Sequence, residues 1–179
     1  LFRDHNFEQG FGLKSVVEGA SPVVVGVLDC GKKDVNSRWR IAQWWSRFSL
    51  EGVEPVFLPS GGVEYSNEGK TFRWEPDQDG VNVLTLYVKG YNEYEGKIRP
   101  DGAGWPHLLI EQHFDQTLYI HKLKSLFVHY EVLITECINY ISKEEYDPQK
   151  HCAHVVSFFA IGNSIANFAY TEFFQVHLL

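Results

Sequence analysis

The 179-residue chain has no methionine and only three cysteines, Cys30, Cys137 and Cys152. Three widely spaced thiols make neither a disulfide framework nor a zinc pattern. One pair can bridge; otherwise buried free thiols are expected. A Gly-rich phosphate loop, a Gly-x-Ser-x-Gly elbow, a His-Glu-x-x-His pair and an EF-hand loop are all missing. Nucleotide chemistry and serine hydrolysis therefore lack sequence support. Positive charge is in deficit, with 16 Lys and Arg against 23 Asp and Glu and a net charge of -7. That balance disfavours nucleic acid and anionic membrane surfaces as partners. No apolar run approaches the ~20 residues of a membrane span, and Leu1-Phe2-Arg3-Asp4 shows no leader pattern. A methionine-free sequence that starts on Leu and stops in the strand-like Phe173–Leu179 raises one more expectation. It is part of a longer chain that has lost a leader or further segments, or its methionines are missing.

What is present is aromatic and strand-forming. Hydrophobic residues make up 44%, charged ones 22% and aromatics 15%, including five Trp. This is a globular composition rich in residues that favour strands and in flat rings that stack on ligands. Strands are expected over Ser21–Leu28, Arg38–Leu50, Val53–Leu58, Val63–Tyr65, Thr71–Trp74, Val81–Lys89, Trp105–Phe114, Ser125–Asn139, His154–Ile161 and Asn167–Leu178. Ser66-Asn67-Glu68-Gly69-Lys70 reads as a hairpin turn, and Gly90–Gly104 as a loop rich in Gly, Tyr and charge. Ser142–Lys150 reads as a charged loop with one helical turn, and the best helix candidate, Asp115–Lys124, is short. Strands at this spacing with few short helices predict an all-β, antiparallel two-sheet β-sandwich or jelly roll, a single domain over 1–179.

The richest segment is Trp105–Phe114. With a period of two, Pro106, Leu108, Ile110 and Phe114 fall on one side, interrupted by Gln112. Trp105, His107, Leu109, Glu111 and His113 fall on the other, an unusual row for a solvent face. Docked antiparallel on Ser125–Asn139, this strand places Glu111 opposite His129, Leu109 opposite Glu131 and Ile110 opposite Tyr130. The expected patch joins Trp105, His107, Glu111, His113, His129 and Glu131. Its two carboxylates suit glycoside hydrolysis. A His or Tyr base with cationic groups suits lyase chemistry on a uronic acid. Arg38, Arg40, Arg73, Arg99, Tyr65 and Tyr94 are the candidates for those groups. His107 and Glu111 stand about 13 Å apart along a strand, too far for one ion, so no metal and no cofactor is expected. In Arg38–Phe48 the run Trp39, Ile41, Gln43, Trp45 opposes Arg38, Arg40, Ala42, Trp44. A Trp beside Arg or Gln grips a sugar, and equally describes a core Trp with a snorkelling Arg; one of Trp44 and Trp45 is expected in the core. An ordinary solvated sheet face accounts for the His and Glu residues too.

The aromatic strands, Gly-rich turns and the row His107, Glu111, His113 resemble the concanavalin A-like jelly-roll superfamily of lectins, glucanases and polysaccharide lyases. The Glu-x-Asp-x-x-Glu strand of laminarinase-type glucanases is missing. Ile110-Glu111-Gln112-His113 departs in order from the Gln-x-His strand of alginate-lyase-type jelly rolls, so no family catalytic residue is carried over. The resemblance implies a concave sheet that binds polysaccharide or oligosaccharide, in a secreted or periplasmic protein. The expectation is a carbohydrate-active protein that binds and cleaves a polysaccharide. Glu111 and Glu131 are its acid/base candidates, helped by His107, His113 and His129. Trp105, Trp44, Trp45, Arg40, Arg73, Tyr94 and Arg99 are its binding candidates. A non-catalytic carbohydrate-binding module and an adhesion domain are the alternatives. The oligomeric state is not legible.

Overall fold

The computed structural model describes residues 2–16, 23–33, 35–114, 119–162 and 173–178. The chain divides into two compact units, Leu1–Asp115 and Gln116–Leu179.

The first unit holds β1 (Phe11–Lys14), β2 (Val24–Leu28), β3 (Trp39–Ala42), β4 (Val56–Phe57), β5 (Val63–Ser66), β6 (Lys70–Pro76), β7 (Asn82–Val88), the short helix α1 (Gly90–Glu93) and β8 (Leu109–Gln112). They form two four-stranded sheets, ordered β2-β1-β3-β8 and β4-β5-β6-β7. The second sheet is an antiparallel meander, and its β5–β6 turn is the expected one around Asn67 and Gly69. Asn67 closes that turn, its Oδ1 accepting from the N–H groups of Gly69 and Lys70, each at 3.0 Å. The first sheet departs from the antiparallel expectation: β1 and β3 run parallel, with Phe11 beside Trp39 and Leu13 beside Ile41. Chain reversal through β2 lets two strands from the same direction sit side by side.

One buried cluster takes side chains from both sheets, which makes the unit sandwich-like. Phe11, Leu13, Leu28 and Ile41 from the first meet Val63, Tyr65, Phe72 and Trp74 from the second. The Phe11 and Phe72 rings pack edge-on, 4.8 Å apart. Tyr65 also ties the layers with its hydroxyl, which accepts from the Cys30 N–H and donates to Asp29 Oδ1, each at 3.1 Å. Tyr65 is thereby committed to the core. The Cys30 thiol beside it is pushed up to about 12, first by burial and then by Asp29.

Several expected strands are shortened, Val53–Leu58 to β4 and Trp105–Phe114 to β8 among them, and one is absent. The long strand Arg38–Leu50 forms a ladder only over Trp39–Ala42, because Gln43 ends it. Fully buried, Gln43 donates from Nε2 to the Lys14 carbonyl (2.9 Å) and Ser49 Oγ (3.0 Å), while its Oε1 accepts from the Leu50 N–H (3.0 Å). The side chain serves backbone groups that a continuing ladder would serve, so the chain turns. The strand expected over Ser125–Asn139 does not form, and its residues are exposed without a ladder. The ladder partner of β8 is β3, with Arg40 opposite Glu111 and Ile41 opposite Ile110. The ladder expected to set Glu111 opposite His129 and Leu109 opposite Glu131 is therefore not formed.

In the second unit, β9 (Ser157–Gly162) and β10 (Phe173–Leu178) pair antiparallel. A 3-10 turn covers Ile120–Lys122, within the expected helix whose residues 115–118 lie outside the described ones. Of the other expected strands, Ser21, Pro22 and residues 167–172 also lie outside them. The loop at Ser142–Lys150 forms two turns, with the Tyr146 N–H donating to the Ser142 carbonyl and the Lys150 N–H to the Asp147 carbonyl, each at 3.0 Å. All three cysteines are free thiols, and only Cys30 is buried. Among the described residues no helix is long and apolar enough to cross a membrane.

Candidate functional site

The period-two reading of β8 correctly divides its faces. Leu108 is buried and Ile110 packs against the core. Gln112 sits on the same side, its amide paired both ways with the Arg3 backbone (2.7 and 2.8 Å). Glu111 projects from the other face, on the side of Arg40, its neighbour across the ladder. The other cation there is Lys14, at the end of β1, whose Nζ makes an ion pair with Glu111 Oε1. His113 Nε2 stands 3.5 Å from the same oxygen. Lys14 Nζ also lies 5.9 Å from the centre of the Trp44 ring. Arg40 forms no ion pair among the described residues, and it is the first sheet's second cation on this face.

Beyond the end of β3 the sheet face becomes aromatic. His107 is held by its N–H, which donates to the Trp44 carbonyl at 3.0 Å. Its ring lies 5.8 Å from that of Trp44 and 5.5 Å from that of Trp45. Burial lowers the His107 pKa from its ordinary value, with the backbone of Trp105 and of Trp44 acting the other way. At neutral pH it is an uncharged imidazole, able to donate and accept. His107 Nδ1 and Trp44 Nε1 are both buried without a hydrogen-bond partner, so this cluster is more than apolar packing.

Neither Trp44 nor Trp45 belongs to the core, contrary to the expectation for one of them. Trp45 is 43% exposed and takes a left-handed backbone, φ +49°. For a bulky residue that conformation costs on the order of 1–3 kcal/mol. The turn overrides strict alternation and brings both indoles to His107. Gly104 makes room for this: a Cβ there would lie 2.3 Å from Trp45 Cγ, so only glycine lets the ring sit so close to the backbone. Tyr94 donates its hydroxyl to the Gly104 carbonyl. Arg99 lies 4.0 Å over the Trp105 ring and donates from Nη1 to the Ala103 carbonyl at 2.5 Å.

The structure thus gathers Trp44, Trp45, His107, Glu111, His113 and Arg40 on one side of the first sheet, with Trp105, Tyr94 and Arg99 in the adjoining loop. Within the first unit, Arg73 is not among them. Arg73 lies on the second sheet, where Nε and Nη2 donate to Glu64 Oε2 at 2.8 and 2.6 Å. That bonding raises its pKa. His129 and Glu131 belong to the second unit and are exposed. Sequence reasoning missed Lys14, Gly104 and Glu93. Lys14 is signalled only as the polar end of Phe11-Gly12-Leu13-Lys14. Among the described residues no group of three or more His, Cys, Asp or Glu is placed to hold a metal ion. Comparison with protein-family models, curated proteins and solved structures gives no match.

Proposed function

We propose that this chain is a carbohydrate-binding β-sandwich protein of jelly-roll type, acting on a polysaccharide outside the cytoplasm. Its glycan-binding face is the side of β1, β3 and β8 that carries Trp44, Trp45 and His107. The approach of both indoles to the His107 ring, Trp44 at 5.8 Å and Trp45 at 5.5 Å, carries the reading. Indole faces take the C–H face of a sugar, and the neighbouring imidazole, Lys14, Glu111 and Arg40 offer donors and acceptors to its hydroxyls. Arg40 and Lys14 also suit a ligand that bears carboxylates.

The test is a panel of neutral and uronic-acid polysaccharides, scored for retention and for products by mass. Retention on at least one polysaccharide is expected, and Trp44→Ala is expected to weaken it by about 2 kcal/mol, roughly thirty-fold. No retention and no cleavage on any member of the panel overturns the reading.

A second reading adds cleavage, on the observation that Glu111 Oε1 lies 3.5 Å from His113 Nε2 beside Lys14. A carboxylate and an imidazole at that spacing can exchange a proton, and the cations can stabilise developing negative charge. Products lighter by one water mark a lyase, and hydrated products a hydrolase. Glu111→Gln is then expected to remove at least 99% of turnover while retention persists, a loss of about 2.7 kcal/mol or more in the barrier. Unchanged turnover in Glu111→Gln removes Glu111 from the chemistry.

A further inference from the structure

The left-handed backbone of Trp45 persists only if its surroundings over-determine it. The residues that follow it supply that constraint. Ser46 Oγ and the Arg47 N–H both donate to the Glu93 carboxylate, one to each oxygen, at 2.6 Å each. Glu93 is 6% exposed and Ser46 is also buried, so these charge-assisted bonds act in a low dielectric. The Phe48 N–H donates to Ser46 Oγ in turn, at 3.2 Å. Glu93 is itself anchored from the other side. It ends α1, which follows β7 directly, and the Lys89 N–H donates to the Gly69 carbonyl at 2.8 Å. The next residue, Tyr94, holds the Gly104 carbonyl, and Gly104 lies against the Trp45 ring. Residues 93 to 104 therefore grip Trp45 twice, through the backbone after it and through the surface beside it.

We infer that Glu93 is a positioning residue of the aromatic site: its buried carboxylate locks the turn at residues 44–47 and so sets Trp45 against His107 before a ligand arrives. The consequence for binding rests on the glycan reading above; the geometric role does not. A preorganised ring loses little on binding, whereas a loose one must be ordered at the expense of affinity. The chemistry requires a carboxylate, because a glutamine has one acceptor oxygen and would set its NH2 against a second donor.

Full-length Glu93→Gln tests this, with Trp45→Phe in both backgrounds to isolate the near-ultraviolet circular dichroism of Trp45. The Trp45 signal is expected to fall by more than half in Glu93→Gln, and retention on the polysaccharide that the parent protein binds to weaken about tenfold. Glu95→Gln, which breaks the exposed pairs of Glu95 with Arg47 (2.6 Å) and Lys97 (3.8 Å), is expected to leave both unchanged. Should Glu93→Gln fail to fold, Ser46→Ala removes one of the two donors and keeps the carboxylate. A smaller loss in the same direction is expected from it. A folded Glu93→Gln or Ser46→Ala with the full Trp45 signal overturns the inference. If the parent protein retains no polysaccharide, the glycan reading fails, and the Trp45 signal alone decides the role of Glu93.

Discussion

Replacing Lys70 by methionine is expected to stabilise the protein at pH 7 by about 3 kcal/mol. Lys70 opens β6 with its side chain fully buried and its Nζ without a hydrogen-bond partner. Burial lowers its pKa from 10.5 to about 8, against the attraction of Glu93, which raises it. A drop of that size corresponds to about 3 kcal/mol of penalty on the charged form. Below pH 8 the folded and unfolded states both carry the proton, so the full penalty falls on the folded state. Between about pH 8 and 10.5 the folded state has lost its proton and the unfolded state still binds one, so stability rises with pH. Above 10.5 neither is charged and the penalty is gone. Methionine has a similar length and no charge, and it fills the same space.

Urea unfolding of both proteins from pH 7 to 10.5 measures this. The gap between them is expected to be widest at pH 7 and to close as the pH rises. The raised Cys30 and Tyr65 groups titrate in both proteins and cancel in the difference. A gap that is constant with pH would mean that the gain comes from packing; a less stable Lys70→Met would mean that the attraction to Glu93 outweighs desolvation.

Gln43→Ala is expected to be the most damaging single change, with a loss of about 3–4 kcal/mol. Three hydrogen bonds disappear with the amide, and the buried Leu50 N–H is left without its acceptor. An orphaned buried group costs ~1–3 kcal/mol on its own, and the emptied space adds a cavity term. Gln43→Leu separates the two contributions, since it fills the volume and leaves the polar groups unserved. Losses of similar size for both variants in urea unfolding place the cost in the hydrogen bonds. A well-tolerated Gln43→Leu would place it in packing, and would show that the turn before Trp44 forms without its amide.

The same glutamine explains why the aromatic site was only half legible. Arg38–Leu50 reads as one long strand because aromatic residues and Ile41 recur through it without a Gly or Pro to break it. Propensity is local, whereas the partners of Gln43 are the carbonyl of Lys14 on another strand and groups six and seven residues ahead. Only the folded chain brings them together, and the turn they make is what places Trp44 and Trp45 against His107. Glu93 was hidden for a related reason: an acidic residue in a loop rich in Tyr, Glu and Gly reads equally as a ligand contact or as solvated, and its burial depends on Ser46 and Arg47 from a distant turn.

Where local chemistry is sufficient, the sequence by itself determined the outcome. Period-two patterning with an Asn-and-Gly turn sets β5, β6 and β7, and alternation alone assigns Leu108 and Ile110 to the core and Glu111 to the opposite face. Composition sets the all-β class, because β-branched and aromatic residues fit a pleated, half-buried surface better than a helix. Alternation states which face a residue occupies but not which strand lies beside it. Tertiary structure alone decided that β8 pairs with β3 and not with residues 125–139, that β1 and β3 run parallel, and that Lys14 is the ion-pair partner of Glu111. Those choices follow from how the long-range packing of a shared core is satisfied, and no window of sequence contains both members of such a pair.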